Sequence, residues 1–442
     1  MGLVCPELTR SQHPASQSYK LNMASSAVEV APQPDITSSA SNKVDLPPGL
    51  KLIPPEKLDL RSDEEIAEWL QHRHPVTSDK NVWAFWHSGF KNMPPWVQRN
   101  IINWVRRLGP EWTVHVLDHV PDSETSVYHY VDASYFPDAF NNRTMDGPYV
   151  GQHSGDLVRL PLIWLHGGVW IDAGTFLFRH IDDICWKKLE DDSTPYEMAG
   201  FVIEVRPGVE CMLNGFIAAK RNNSFIKRWH DIYLALWKGV TNGIGFHKHP
   251  LLKHLPLMSP PVDKLNLPGL NVMMESFTDY IAHFMSFERL RKLIDPSDGF
   301  NGPEYYSKRM LLAPALQETY YFQKVTGWSG TRQFELLTAK RTGEGVLKDE
   351  KWEAAEAFVN DALANTSTMK LSHGPLGALD SSLADLWDSK EHQDKDSIEG
   401  TFAAYLRYGS VHFDQTREIV PLKFDLTTEE VLHKGVLDPK EA

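Results

Sequence analysis

Hydrophobic and polar positions first fall into a readable pattern at NVWAFWHSG (81–89), an apolar, β-favouring run that ends in glycine as a strand-to-helix junction does. Pro94-Pro95 then occupies the opening positions of a helix. Val97, Ile101, Trp104 and Leu108 follow at helical spacing, and Gly109-Pro110 stops it. WTVHVLD (112–118) predicts a second strand, so the region is a βαβ unit and implies a parallel sheet. A second helix is expected from about Ser154 to Leu165, with Leu157, Leu160 and Trp164 on its buried face and Pro161 set to kink or shorten it. Gly167-Gly168 ends that helix, and VWID forms the next strand. EMAGFVIEV (197–205) and NGFIAA (214–219) predict two more strands, and FIKRWHDIYLALW (225–237) an amphipathic helix. Ahead of this block, Ser62 followed by Asp63-Glu64-Glu65 supplies an N-cap and an acidic first turn for a helix to about Leu70. Beyond residue 240, Pro, Gly and His punctuate shorter elements, closed by LSHGPLG (371–377) and a segment ending TFAAYLRYGSVHF (401–413). The fold class is α/β, a mixed, mainly parallel sheet flanked by helices.

Composition narrows the setting. The chain of 442 residues is 42% hydrophobic and carries 14 Trp, so it has material for a large core. Residues 1–48, rich in Ser, Ala and Pro, predict a disordered leader, and 421–442 a tail. No apolar run is long enough to span a bilayer and the N-terminus lacks a secretory h-region, which points to a cytoplasmic protein without a membrane partner. Cys5, Cys185 and Cys211 are too few and scattered for a zinc site or a disulfide framework. The net charge of −13, from 45 basic and 58 acidic residues, argues against broad polyanion binding. Basic character is left to local groups: Arg106-Arg107, Lys187-Lys188, Lys220-Arg221, Lys227-Arg228 and Arg289-x-Arg291-Lys292.

The chemistry concentrates in HSGDLVRLPLIWLHGGVWIDAG (153–174). Asp156 and Arg159 are three residues apart and so share one helical face, away from Leu157 and Leu160. Asp172 ends a strand, the edge of an open α/β sheet where ligands bind. A structural Asp156–Arg159 pair with Asp172 capping a turn accounts for the spacing equally well. His87 ends the first strand on the same edge, Asn214 precedes a later strand and is a candidate for lining an acceptor pocket, and His373 and His412 are further candidate bases. No nucleophile elbow, P-loop or HExxH is present.

WAFWHSGFKNMPPWVQRNIINWVRRLGPEWTVHVLD followed by this second block resembles the capsular-polysaccharide-synthesis family of sugar transferases. More distantly it is similar to initiating mannosyltransferases, with their D-x-x-R helix and GG-x-[YW]-x-D-x-D strand. The likeness covers roughly residues 80–240. It implies a GT-A-like architecture over a single catalytic domain (49–420), with a nucleotide- and donor-binding half at 80–240 and an acceptor half with closing elements at 241–420. It also places Asp156, Arg159 and Asp172 on nucleotide- and metal-binding positions. In metal-dependent members the Asp-x-Asp pair holds a divalent cation on the donor diphosphate; here the sequence is Asp172-Ala173-Gly174.

A second resemblance is to the fungal arginine-containing cyclodipeptide synthases, which carry the altered strand-end motif and lack signal peptides. It implies an aminoacyltransferase of secondary metabolism that uses arginyl-tRNA and a second amino acid, with no cofactor. That group's D-D-x-x-E motif has its nearest counterpart in DDICWKKLEDDSTPYE, which contains Asp182, Asp183 and Glu197. On this favoured expectation Asp172, Asp156, Asp182, Asp183 and Glu197 supply the guanidinium clamp and general base. Arg159, His87, Asn214, Lys227 and Arg228 bind substrate, the last pair on a rim that receives tRNA. The alternatives are a nucleotide-sugar glycosyltransferase, for which a divalent cation enters the picture, and an inactive GT-A-like binding module.

Overall fold

Strands form where alternating side chains find two apolar layers to enter. In the computed structural model, which describes residues 46–206, 209–258, 273–373, 381–426 and 430–440, Asn81–Phe85 forms β1 and Thr113–Leu117 forms β2. Gly168–Ile171 forms β3, Met198–Arg206 β5, Val209–Ala219 β6 and Met310–Pro314 β7. A short β4, Thr175–Leu177, pairs antiparallel with β8, Thr368–Lys370, outside the main sheet. The main sheet has six strands in the order β7-β5-β6-β3-β1-β2. β1 pairs in parallel with β2 and β3, and β7 with β5, whereas β6 runs antiparallel to both its neighbours. The sheet is therefore mixed and mainly parallel. It follows that β1, β2, β3, β5 and β7 all end at one edge, and only β6 begins there.

Val82 and Ala84 enter one apolar layer while Trp83 and Phe85 enter the other, the period-two alternation of a strand covered on both faces. The first layer is covered by α1 (Pro95–Leu108), α5 (Glu350–Asn365) and α6 (Phe402–His412). Over the second lie α2 (Val150–His166), α3 (Ser224–Leu236) and α4 (Ala282–Arg291). Eight tryptophans are fully buried across the two layers, so the Trp count does serve the core.

The start of α1 follows its sequence signals. Pro95 stands in the first turn, and Gly109 ends the helix with φ +60°. The short helix Asp63–Trp69 is held by the reciprocal bonds of Ser62 and Glu65 (3.1 and 2.7 Å). α2 departs from expectation: it runs unbroken through Pro161 for 17 residues. Every residue from His153 to Ile163 is buried, so packing on all sides offsets the roughly 3 kcal/mol that an internal proline costs.

The paired glycines after α2 serve the fold rather than a ligand. Gly167 and Gly168 have φ of +69° and +104°, and a Cβ on Gly168 would stand 2.3 Å from the Asn81 carbonyl oxygen. They let β3 begin tight against the start of β1, at the sheet edge opposite Asp172.

Residues 1–45, which hold almost all of the expected leader, lie outside the described residues, as do 374–377 of LSHGPLG and 427–429 and 441–442 of the expected tail. Among the described residues no helix is long and apolar enough to cross a membrane, and Cys185 and Cys211 are buried and form no disulfide with each other.

Replacing Gly168 by Ala should therefore destabilise the protein by about 2 kcal/mol or more, from the backbone clash and the unfavourable φ. Urea unfolding with an unchanged m-value would measure it; a loss below about 0.5 kcal/mol would contradict this role for the glycine.

Candidate active site

Strand alternation points Asp172 to the same side as Trp170, toward α2. On α2, Asp156 and Arg159 occupy one face and form an ion pair of 2.8 Å. Arg159 lies over the Trp170 ring (4.9 Å), donates to the backbone oxygens of Gly155 and Asn214, and stands 3.7 Å from Asp172. β6 pairs with β3 so that the Asp172 amide donates to the Gly215 carbonyl at 2.9 Å. This register brings in Asn214, whose side-chain amide donates to Asp156 at 2.9 Å. The structure thus brings Asp156, Arg159, Asp172 and Asn214 into one cluster at the carboxyl edge of the sheet.

The fifth member was invisible in the sequence. Lys370, the last residue of β8, donates to Asp172 Oδ2 at 2.5 Å, while Trp170 Nε1 donates to Oδ1 at 2.7 Å. Nothing in TSTMKLSHG marks that lysine, because its partner lies 198 residues away and only the pairing of β8 with β4 unites them. Behind the acids, the His153 ring stands 3.6 Å from Asp156 and 3.4 Å from the Tyr233 hydroxyl. His283 Nδ1 accepts from Asn214 at 3.4 Å, and its Nε2 has no partner among the described residues.

Electrostatics fix the protonation states. Burial pushes the Asp172 carboxyl up, but Lys370 and Arg159 more than reverse this and hold it down to about 2. Asp156 is lowered by the same competition, with burial opposing Arg159 and the His153 hydrogen bond. Burial acts against the Lys370 charge, and Asp172 raises its proton affinity above the ordinary value. Burial, aided by the Arg159 charge and opposed by Asp156 and Asp172, takes His283 to about 3, so it is neutral at physiological pH. The cluster therefore holds two carboxylates and two cations with no net charge. Asp172 and Lys370 keep 23% and 21% of their side-chain surface exposed, so both reach solvent at this edge of the sheet.

A second constellation lies on the same rim. His373 Nε2 donates to Asp388 Oδ2 at 2.7 Å, and the Asp388 hydrogen bond raises its proton affinity above the ordinary histidine value. The other Asp388 oxygen accepts from Trp96 Nε1 at 2.7 Å. The Trp96 ring in turn lies 3.3 Å from where a Gly174 Cβ would stand, two residues from Asp172. His87 stands exposed just beyond β1 with its ring edge-on to His119. His412 ends α6 against Tyr408, near Arg106 and Arg107.

The acidic stretch that was expected to join the site does not. Asp182 accepts from Trp112 Nε1 (3.1 Å) and faces Lys80 (3.8 Å), which precede β2 and β1. Glu197 precedes β5 and pairs with Arg309, just before β7. Both acids thus sit at the edge opposite Asp172, beside the residues that lead into β1, β2, β5 and β7, whereas Asp172 follows the end of β3. Asp183 is bound to Lys187 at 2.7 Å. Lys227 and Arg228 stand at the start of α3, after β6, and so at that same far edge. There Lys227 pairs with Asp231 at 2.6 Å and Arg228 with Asp298. Lys220 and Arg221 have Asp192 and Asp79 as partners. These cations are neutralised pairwise and form no rim around the site.

Among the described residues, no three His, Cys, Asp or Glu side chains gather as a metal-binding group. Asp172 is the one carboxylate of the strand-end stretch Asp172-Ala173-Gly174, and both its oxygens already accept hydrogen bonds.

Comparisons with known proteins bear on this geometry. The family described as "Capsular polysaccharide synthesis protein" matches residues 56–245. "O-glycosyltransferase braB" of Annulohypoxylon truncatum is 73% identical over 95% of this chain and 100% of its own. "Glycosyltransferase afumC" of Aspergillus fumigatus is 47% identical, covering 85% of this chain and 96% of that relative. "O-glycosyltransferase PaGT" of Phomopsis amygdali is 42% identical, with 91% and 98% covered. These relatives overturn the expectation of an aminoacyltransferase: the arginyl-tRNA partner and the cyclodipeptide product are withdrawn, and the pairwise-neutralised cations at the far edge agree with that correction.

The depressed Asp172 carboxyl has a stability consequence. Its ion pair contributes fully above the unfolded-state value of 3.8 and is lost as pH falls toward about 2. The stability difference between the wild type and Asp172→Asn should be constant near neutrality and shrink between about pH 4 and pH 2. Thermal unfolding across that range would show it; a difference that persists at pH 2 would refute the assignment.

Proposed function

The chain belongs to the family of these fungal glycosyltransferases, and from that premise we propose that it transfers a sugar from a nucleotide-sugar donor to a hydroxyl oxygen of a small acceptor. The observation that carries the reading is the end-to-end identity of 73% with an O-glycosyltransferase. The scaffold is read as GT-A-type, with the donor's nucleotide and diphosphate at the carboxyl edge of β1 and β3, beside Asp156, Arg159 and Asp172.

The transfer needs three things: a fixed donor, a base for the acceptor proton and charge stabilisation for the departing diphosphate. The buried Asp156–Arg159 pair, locked by Asn214 and Trp170, gives the donor site a wall whose side chains are already ordered. His373 is the base we assign. Its Nε2 proton is committed to Asp388, which leaves the Nδ1 lone pair free. As the acceptor oxygen bonds to the anomeric carbon, its proton passes to Nδ1, and the bond from that carbon to the diphosphate oxygen breaks. The diphosphate leaves with the electron pair.

His373→Ala should lower kcat roughly 10²- to 10⁴-fold with little change in donor affinity. In the wild type the rate should rise with pH through a value above 6.5, since Asp388 raises the His373 proton affinity. Asp388→Asn keeps an acceptor for Trp96 but removes the charge, so it should move that limb to lower pH. Initial rates of sugar release and transfer from a panel of nucleotide sugars test this. Unchanged limbs in Asp388→Asn would remove His373 from the mechanism, and no turnover of any nucleotide sugar would remove the glycosyltransferase reading itself.

A further inference from the structure

Resting on that reading, we infer that Lys370 takes the electrostatic place of a divalent cation, so that the enzyme binds its donor diphosphate through a side-chain ammonium and needs no metal. Three features converge on it.

The first is steric. A second strand-end carboxylate would have to grow from Gly174, and the space is closed there. A Cβ at that position would stand 2.8 Å from the Leu371 carbonyl oxygen and 3.3 Å from the Trp96 ring. Leu371 is held in place, since its amide donates to the Gly174 carbonyl at 2.9 Å. The obstructing atom is backbone, so no rotamer change clears it. The residues present therefore do not fit an Asp-x-Asp metal cradle: one ligand is missing and its position is sealed.

The second feature is what seals it. The segment that closes over Gly174 also delivers Lys370, one residue earlier, onto Asp172 Oδ2 at 2.5 Å. Room for the lysine comes from Gly215 on β6. A Cβ there would lie 2.9 Å from Lys370 Nζ and 3.0 Å from Asp172 Oδ2. The lysine is thus seated between two strands and aimed at the one remaining acid.

Charge balance is the third. A divalent cation on two carboxylates is neutral, and so is an ammonium on one carboxylate. Removing one acid together with one unit of positive charge leaves the net charge that meets the diphosphate unchanged. An ammonium has three N–H donors, and Asp172 takes one from Nζ. The others remain for phosphate oxygens, and the exposure of Lys370 gives them access. Arg159 adds a second fixed cation 3.7 Å from Asp172.

Calorimetric titration of the full chain with UDP, GDP and inorganic pyrophosphate tests the inference, each run in EDTA and again with Mn²⁺. At least one diphosphate should bind with the same affinity in both buffers. Lys370→Met should weaken that binding about 10- to 100-fold, and Mn²⁺ should not restore it. The double variant Lys370→Met/Asp172→Asn strands no carboxylate; its thermal unfolding and its binding separate loss of the site from loss of the fold. Lys370→Arg keeps the charge and should retain more affinity than Lys370→Met. Binding or transfer that appears only with Mn²⁺ would overturn the inference while leaving the glycosyltransferase reading intact. No binding of any diphosphate in either buffer would overturn both.

Discussion

The contact between Asp172 and Lys370 organises everything around it. A carboxylate at the end of β3 sits deep enough that burial alone would favour its neutral form. A partner cation is what keeps it charged, and in this chain that cation comes from a strand 198 residues later. The demand reaches outward. β8 must pair with β4 to carry the lysine, Gly215 must lack a side chain to admit it, and Leu371 must close over Gly174 as the chain passes. One buried carboxylate thus ties the early sheet to the late part of the chain.

The same geometry sorts charge by sheet edge. Strands that run in one direction end where Asp172 stands, so residues that precede strands or follow β6 collect at the other side. Asp182, Glu197, Lys220, Arg221, Lys227 and Arg228 all fall there, and each finds a partner of opposite sign or a tryptophan N–H. At the carboxyl edge the charges are likewise balanced, but they are held rigid by Trp170, Asn214 and the α2 backbone. A rigid, neutral, partly exposed cluster suits recognition of a doubly charged group, because its donors need no reorganisation when the ligand arrives.

Local patterns made much of this legible. The βαβ opening, the caps of α1 and the helix carrying Asp156 and Arg159 follow from residues within one or two turns of each other, where spacing and stop signals suffice. The continuation of α2 through Pro161 was not legible, since it rests on burial from all sides. Lys370, and the partner and placement of His373, which stood only as a candidate base, were hidden for a related reason: they meet the site through tertiary pairing, and no spacing rule links them to Asp172. The error over the acidic stretch has a topological cause. Asp182 and Glu197 lie close in sequence to the strand-end motif, yet the chain has turned back by the time it reaches them. The neutralised basic groups were in part readable after all. Lys187 with Asp183 and Lys227 with Asp231 are four residues apart on one helical face, the spacing at which opposite charges pair.

The central claim is that a lysine, and not a metal ion, meets the donor's diphosphate. The most direct measurement is a crystal structure with a bound nucleoside diphosphate, grown with Mn²⁺ and recorded with anomalous scattering. The account predicts a phosphate oxygen within hydrogen-bond distance of Lys370 Nζ, the Asp172 contact retained, and no anomalous peak between Asp172 and the phosphates. A manganese ion bridging Asp172 and the diphosphate, with Lys370 displaced, would contradict it.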